Sequence, residues 1–186
     1  MTRSPIRRTG AGPIASWNRT DETVGVYQIK IAKDALRFCA AHFATFLDGR
    51  CESLHGHNYQ VGITLDGKLA EPEGVIVDFI PLKRVIASIL EQLDHHTLLA
   101  TQNPLLKVTE SDDEVEIRYN DRRWILPRCN CVLIPVTNTS TELLASWLTG
   151  EFIKSLPDET LAQIEAVTLE LTETPGQSAI YRHVIG

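Results

Sequence analysis

The stretch CESLHGHNYQVGITLDG, residues 51–67, alternates along most of its length. His55, His57, Tyr59, Val61, Ile63 and Leu65 fall on one face at period two, which predicts a half-buried β-strand. Its apolar half supplies core, and its polar start carries two histidines, with Cys51 four residues ahead of the first. Upstream, the run from Val24 to Ile31 alternates too, and FCAAHF continues the extended pattern with Ala40 and His42 on one face. The expected arrangement is an antiparallel pairing of these segments.

Beyond the strand, Asp78 is a good N-cap for the helix FIPLKRVIASILEQL, whose apolar stripe is Phe79, Leu82, Val85, Ile86, Ile89, Leu90 and Leu93. The helix delivers LDHH at its end. The polar stretch from Thr101 to Val136 contains EVEIRYNDRRWIL, two alternating runs around Asn120-Asp121, and reads as an inserted hairpin. A second helix follows TSTE, where Thr139 as N-cap and Glu142 at the third helical position fit a capping box, with Leu144, Trp147, Leu148 and Phe152 as the buried stripe. EAVTLELTE and AIYRHVI then read as a closing strand pair around Pro175-Gly176. This order suits an α+β sandwich with its helices on one face.

The 186 residues, 43% of them hydrophobic, are enough for one domain over 23–186, carrying an insertion at about 101–136. Residues 1–22, polar and rich in Gly and Pro, read as a flexible N-terminal arm. A net charge of −6 with scattered Lys and Arg argues against nucleic-acid binding. No run approaches the ~18 consecutive apolar residues of a membrane helix, and no signal peptide is evident, so the expected compartment is the cytoplasm. The four cysteines, Cys39, Cys51, Cys129 and Cys131, accordingly read as free thiols, the last two packing side by side on one face of a strand.

Five of the six histidines fall between His42 and His96. His55 and His57 project from one strand face, and His42 can meet them from the neighbouring strand, since cross-strand neighbours lie about 5 Å apart. Three imidazoles with a free fourth position suit a catalytic Zn2+ site. The alternative is one core histidine beside two solvated ones. Cys51 could close the site as a fourth ligand, act as an acid or base with its pKa lowered by local positive charge, or simply pack. Cys39 alternates out of phase with His42 and receives no role. Asp94-His95 resembles a carboxylate orienting an imidazole for proton transfer, although the pair could equally close the helix. Glu173, at a strand end, would ordinarily be solvated.

FCAAHF, CESLHGHNY, GVIVDF, LDHHTLL, TSTELLASWL and TETPGQSAIYR, in this order, resemble the 6-pyruvoyl-tetrahydropterin synthase and 6-carboxytetrahydropterin synthase family of the tunnelling fold. The resemblance implies that His42, His55 and His57 bind zinc and that Cys51 is the catalytic thiol. Asp94 and His95 would complete the proton-transfer set, Glu173 would anchor the pterin ring, and Thr141 and Glu142 would line its pocket. The implied substrate is 7,8-dihydroneopterin triphosphate. One branch keeps the side chain as 6-pyruvoyltetrahydropterin; the other releases acetaldehyde and leaves the 6-carboxy product used for queuosine and other deazapurines. The spacing in CESLHGH, together with LDHH, looks more like the carboxy branch, and a third, folate-linked branch lacks this cysteine. A non-catalytic zinc- or pterin-binding relative is the competing class.

The same resemblance implies a small antiparallel four-stranded sheet with two helices on one face, closing as trimers that pair into a homo-hexamer. Active sites would then lie at subunit boundaries, with Glu173 or Cys51 supplied by a neighbour. The insertion and the arm match no family motif.

Overall fold

Tyr59, Val61, Ile63 and Leu65 are each fully buried, as the period-two pattern requires, and they form the floor of the main core. They belong to β3 (His55–Gly67), the longest strand in a computed structural model that describes residues 26–31 and 36–186. The expectations for residues 1–22 and for the strand start at Val24 lie outside the described residues. β3 pairs antiparallel with β1 (Tyr27–Ile31) over its second half and with β2 (Arg37–His42) over its first.

The sheet is larger than expected. Its order is β10-β9-β3-β2-β4-β8, with β1 also paired to β3, so seven strands replace the four anticipated. The extra width comes from β4 (His96–Ala100) and β8 (Cys131–Ile134), both running parallel to β2. A parallel return needs a crossover connection. Helix α1 (Phe79–Glu91) supplies it between β3 and β4. β9 (Ile164–Thr174) and β10 (Gln177–Val184) close the other side, turning through Gly176 at φ +87°, a conformation suited to glycine.

Asp78 caps α1 by accepting from the Ile80 N–H at 2.8 Å. α1 buries Leu82, Ile86, Ile89 and Leu90 in the same core as Leu144, Leu148 and Phe152 of α2 (Thr141–Lys154). Phe79, at the start of the anticipated stripe, stays exposed. The cap of α2 is Ser140 rather than Thr139, which places Glu142 at the second helical position and removes the capping box. Thr139 is diverted because its hydroxyl donates to the Phe43 carbonyl at 2.8 Å. A short third helix, α3 (Asp158–Leu161), leads into β9.

The segment anticipated as an insertion holds a three-stranded antiparallel sheet: β5 (Lys107–Glu110), β6 (Glu114–Tyr119) and β7 (Arg122–Pro127). β6 and β7 are the expected hairpin, and Asn120 takes φ +52° in its turn, which Asn tolerates better than most residues. Val115 and Ile117 are buried with Phe43, Leu99 and Cys131 in a second, smaller core. The two cysteines do not share a strand face: Cys129 lies exposed in a 3-10 turn, whereas Cys131 opens β8 and is buried. All four are free thiols.

Candidate metal centre and proton-transfer groups

Register assembles the histidines. His42 pairs directly across from His55, and Ala40 from His57, so three imidazoles leave one sheet face within two strand positions. Ring centroids are 4.7 Å apart for His42 and His55, 4.8 Å for His55 and His57, and 5.2 Å for His42 and His57. One ligand atom from each lies within 4.8 Å of the others. Gly56 permits this close pairing, since a Cβ there would stand 3.2 Å from the Ala40 carbonyl oxygen.

Hydrogen bonds fix which nitrogens face inward. His42 Nδ1 lies 2.8 Å from the Thr139 carbonyl oxygen, and His55 Nδ1 lies 2.8 Å from that of Ser53. A carbonyl only accepts, so each Nδ1 carries the proton and the neutral ring presents Nε2 as a lone pair. Burial holds the His42 pKa below the ordinary histidine value, which keeps the ring neutral. His42 is buried, His57 half-buried and His55 exposed, leaving the cluster open on one side.

Glu173 adds an anionic oxygen. Its Oε1 is 3.1 Å from His42 Nε2 and 3.4 Å from His57 Nε2, yet both nitrogens are buried with no hydrogen-bond partner. Two imidazole nitrogens and a carboxylate oxygen converge here. A cation relieves such an arrangement, and nitrogen donors in this number suit zinc. The residues present therefore fit the metal. Glu173 reaches the cluster of its own chain. Tyr59 donates to the same carboxylate at 3.4 Å, and burial, then the Glu173 charge, push its phenol well above the usual range.

Asp94 and His95 form the second group. Asp94 Oδ1 accepts from the Cys39 N–H at 2.7 Å, and Oδ2 lies 2.9 Å from His95 Nδ1. The Cys39 amide, then His95, hold this carboxyl below the usual carboxylate range. His95 donates its own N–H to the Cys39 carbonyl at 2.6 Å and sits at φ +61°, a left-handed conformation that costs a non-glycine residue about 1–2 kcal/mol. Its side chain is 80% exposed, so the ring is oriented by Asp94 but aimed outward. Cys39 contributes its backbone here, a role that strand phase alone could not reveal.

Cys51 is not part of the histidine group. It bridges to Thr45 on the loop between β2 and β3, and its side chain packs against the second core. Burial pushes its thiol up, against the opposing pull of the Arg122 guanidinium. It opens onto a cleft of about 370 Å³ that Arg50, Glu52 and Arg122 also line. Glu52 escaped the sequence reading, although a carboxylate adjacent to the candidate thiol was a visible signal; its Oε2 accepts from the Ala44 N–H at 2.9 Å. Thr141 and Glu142 occupy the first turn of α2, just after the Thr139 carbonyl that orients His42.

The α+β fold thus presents a histidine triad that could hold a metal ion beside a carboxylate, with an Asp-His pair on the next strand connection. Residues 30–184 match the family model described as 6-pyruvoyl tetrahydropterin synthase, and the chain belongs to that family. A Methanocaldococcus jannaschii protein, provisionally named a 6-carboxy-5,6,7,8-tetrahydropterin synthase, is 28% identical over 147 residues, spanning 79% of this chain and 90% of that one. The crystal structure of 6-pyruvoyl tetrahydropterin synthase from Plasmodium vivax is 29% identical with a TM-score of 0.81, covering 87% of this chain and 99% of that one. A second P. vivax structure, 28% identical at TM-score 0.80 over the same shares, is of a mutant in which a catalytic glutamate is alanine.

Proposed function

We propose that this chain is a zinc-dependent lyase acting on 7,8-dihydroneopterin triphosphate and forming 6-carboxy-5,6,7,8-tetrahydropterin, a precursor of queuosine and other deazapurines. The observation that carries the reading is the convergence of the buried His42 and His57 Nε2 atoms, neither with a hydrogen-bond partner, on Glu173. The 6-carboxy name of the M. jannaschii relative supports the choice of product.

His42, His55 and His57 would hold the zinc. When bound, the metal would polarise the hydroxyls of the substrate side chain and so acidify the adjacent C–H bonds. Glu173 binds the guanidine-like edge of the pterin ring through paired hydrogen bonds, a geometry suited to a carboxylate. The Cys51 thiolate removes a carbon-bound proton, and His95, oriented by Asp94, carries the second. Thr141 and Glu142 line the ring pocket. The outward aim of His95 supports a site completed between subunits, and the exposed Ile180 and Val184 on the edge strand β10 support association through that edge. A homo-hexamer built as a dimer of trimers fits both.

The likeness to the P. vivax enzyme favours a second reading, 6-pyruvoyltetrahydropterin formation. Mass spectrometry of the pterin formed from the triphosphate separates the two. A 6-carboxy product supports the first reading and a 6-pyruvoyl product the second, while unaltered substrate with zinc bound leaves a non-catalytic pterin-binding protein.

A further inference from the structure

The inserted sheet touches the thiol loop at three successive points. Trp124 of β7 stacks on Phe43, with ring centroids 5.0 Å apart and planes 20° from parallel. Tyr119 at the end of β6 donates its hydroxyl to the Gly49 carbonyl at 2.7 Å. Arg122 at the start of β7 donates from Nη1 to the Cys51 carbonyl at 2.9 Å and reaches that of Glu52 at 3.5 Å. These contacts join residues some 70 positions apart and follow the loop from its start to the candidate thiol.

Arg122 differs from its neighbour. Arg123 makes an ion pair with Glu116, as Arg118 does. Arg122 has no carboxylate partner among the described residues, and its bonded nitrogen is committed to main-chain carbonyls of the loop. A guanidinium with two carbonyls in reach fixes a backbone more tightly than a single neutral donor would. The loop needs such fixing: its internal bonds, Phe46 N–H to Arg50 O, Gly49 N–H to Phe46 O and the Ala44–Glu52 pair, leave the Cys51 carbonyl to the insertion.

The geometry points to Arg122 as a positioning residue: the inserted sheet is a clamp that holds the Cys51 main chain in place for proton abstraction. The inference takes Cys51 as the reactive group and so rests on the function proposed above. Substrate binding is left to other residues, which makes the clamp's signature a loss in kcat without a matching rise in KM.

The test compares zinc-loaded, full-length wild type with Arg122→Ala, Arg122→Lys and the same-strand control Arg123→Ala. Misplacing a reacting group by about an ångström costs up to roughly a hundredfold, so Arg122→Ala is expected to lower kcat about tenfold with KM within about twofold. Arg122→Lys should recover part of the loss, and Arg123→Ala should match wild type. Amide exchange at Gly49 and Glu52, read without substrate, should quicken about tenfold in Arg122→Ala alone, with zinc content unchanged. Unaltered exchange and kcat in Arg122→Ala overturn the clamp, as does a rise in KM alone, which would make Arg122 a substrate contact. If wild type turns nothing over, the proposed function fails, and the exchange rates still decide whether Arg122 holds the loop.

Discussion

Glu173 Oε1 stands 3.1 Å from His42 Nε2, while the Nδ1 of the same ring donates to the Thr139 carbonyl. A bound cation would balance the charge of this arrangement. The protein is therefore expected to bind one zinc per chain, and His42→Ala to lose it, measured by plasma emission spectroscopy after dialysis. Glu173→Gln should keep the metal and weaken pterin binding at least tenfold by fluorescence titration, since a neutral amide forfeits the charge-assisted bonds. Loss of zinc from Glu173→Gln would make Glu173 a metal ligand instead.

Without metal, the same histidine makes stability depend on pH. The folded-state pKa of His42 lies below its ordinary value of 6.5, so the unfolded chain takes up the proton first as pH falls. Apo protein should hold its stability above pH 6.5 and lose it progressively on acidification through the folded-state pKa. Urea titrations between pH 8 and 5 measure this. His42→Gln should flatten the dependence.

Cys51→Ala should retain zinc and lose turnover by about a hundredfold or more, the contribution of a positioned proton-transfer group. Burial raises the thiol, so alkylation of Cys51 in metal-free protein should keep accelerating beyond the ordinary thiol value of 9.0. Iodoacetamide labelling with peptide mapping follows it. A midpoint below 9.0 would show that Arg122 outweighs burial.

His95 stores backbone strain at φ +61° while its ring is exposed. Glycine relieves that strain, so His95→Gly should melt at or slightly above the wild-type temperature, by about 0.5–1 kcal/mol of added stability. Turnover should fall at least a hundredfold. Calorimetry and initial rates together test the pair; a lower melting temperature would mean that the side chain, rather than the function, holds this conformation.

What periodicity could reach, it reached: β2, β3, the α1 and α2 stripes and the β6–β7 turn each carry their own local pattern. The parallel places of β4 and β8 in the main sheet were hidden for a physical reason. HTLLA and CVLI are short apolar runs that follow a helix end and a 3-10 turn, and nothing local distinguishes a parallel strand from buried helix or loop. Strand phase alone puts His55 and His57 on one face, and the β2–β3 register brings His42 to them. The position of Glu173 depends on the β3–β9 register, which pairs Gln60 with Thr172 across more than a hundred residues. Thr139 and Ser140 have equivalent capping chemistry, and only the contact with Phe43 decides between them. The grip of Arg122 on the thiol loop is equally non-local.

Side-chain cleavage is tested by quantifying acetaldehyde and triphosphate together as zinc-loaded protein consumes 7,8-dihydroneopterin triphosphate. Both should be released in equal amounts, with release abolished by Cys51→Ala while zinc stays bound. Triphosphate without acetaldehyde would contradict cleavage of the side chain, and release of neither would contradict the lyase itself.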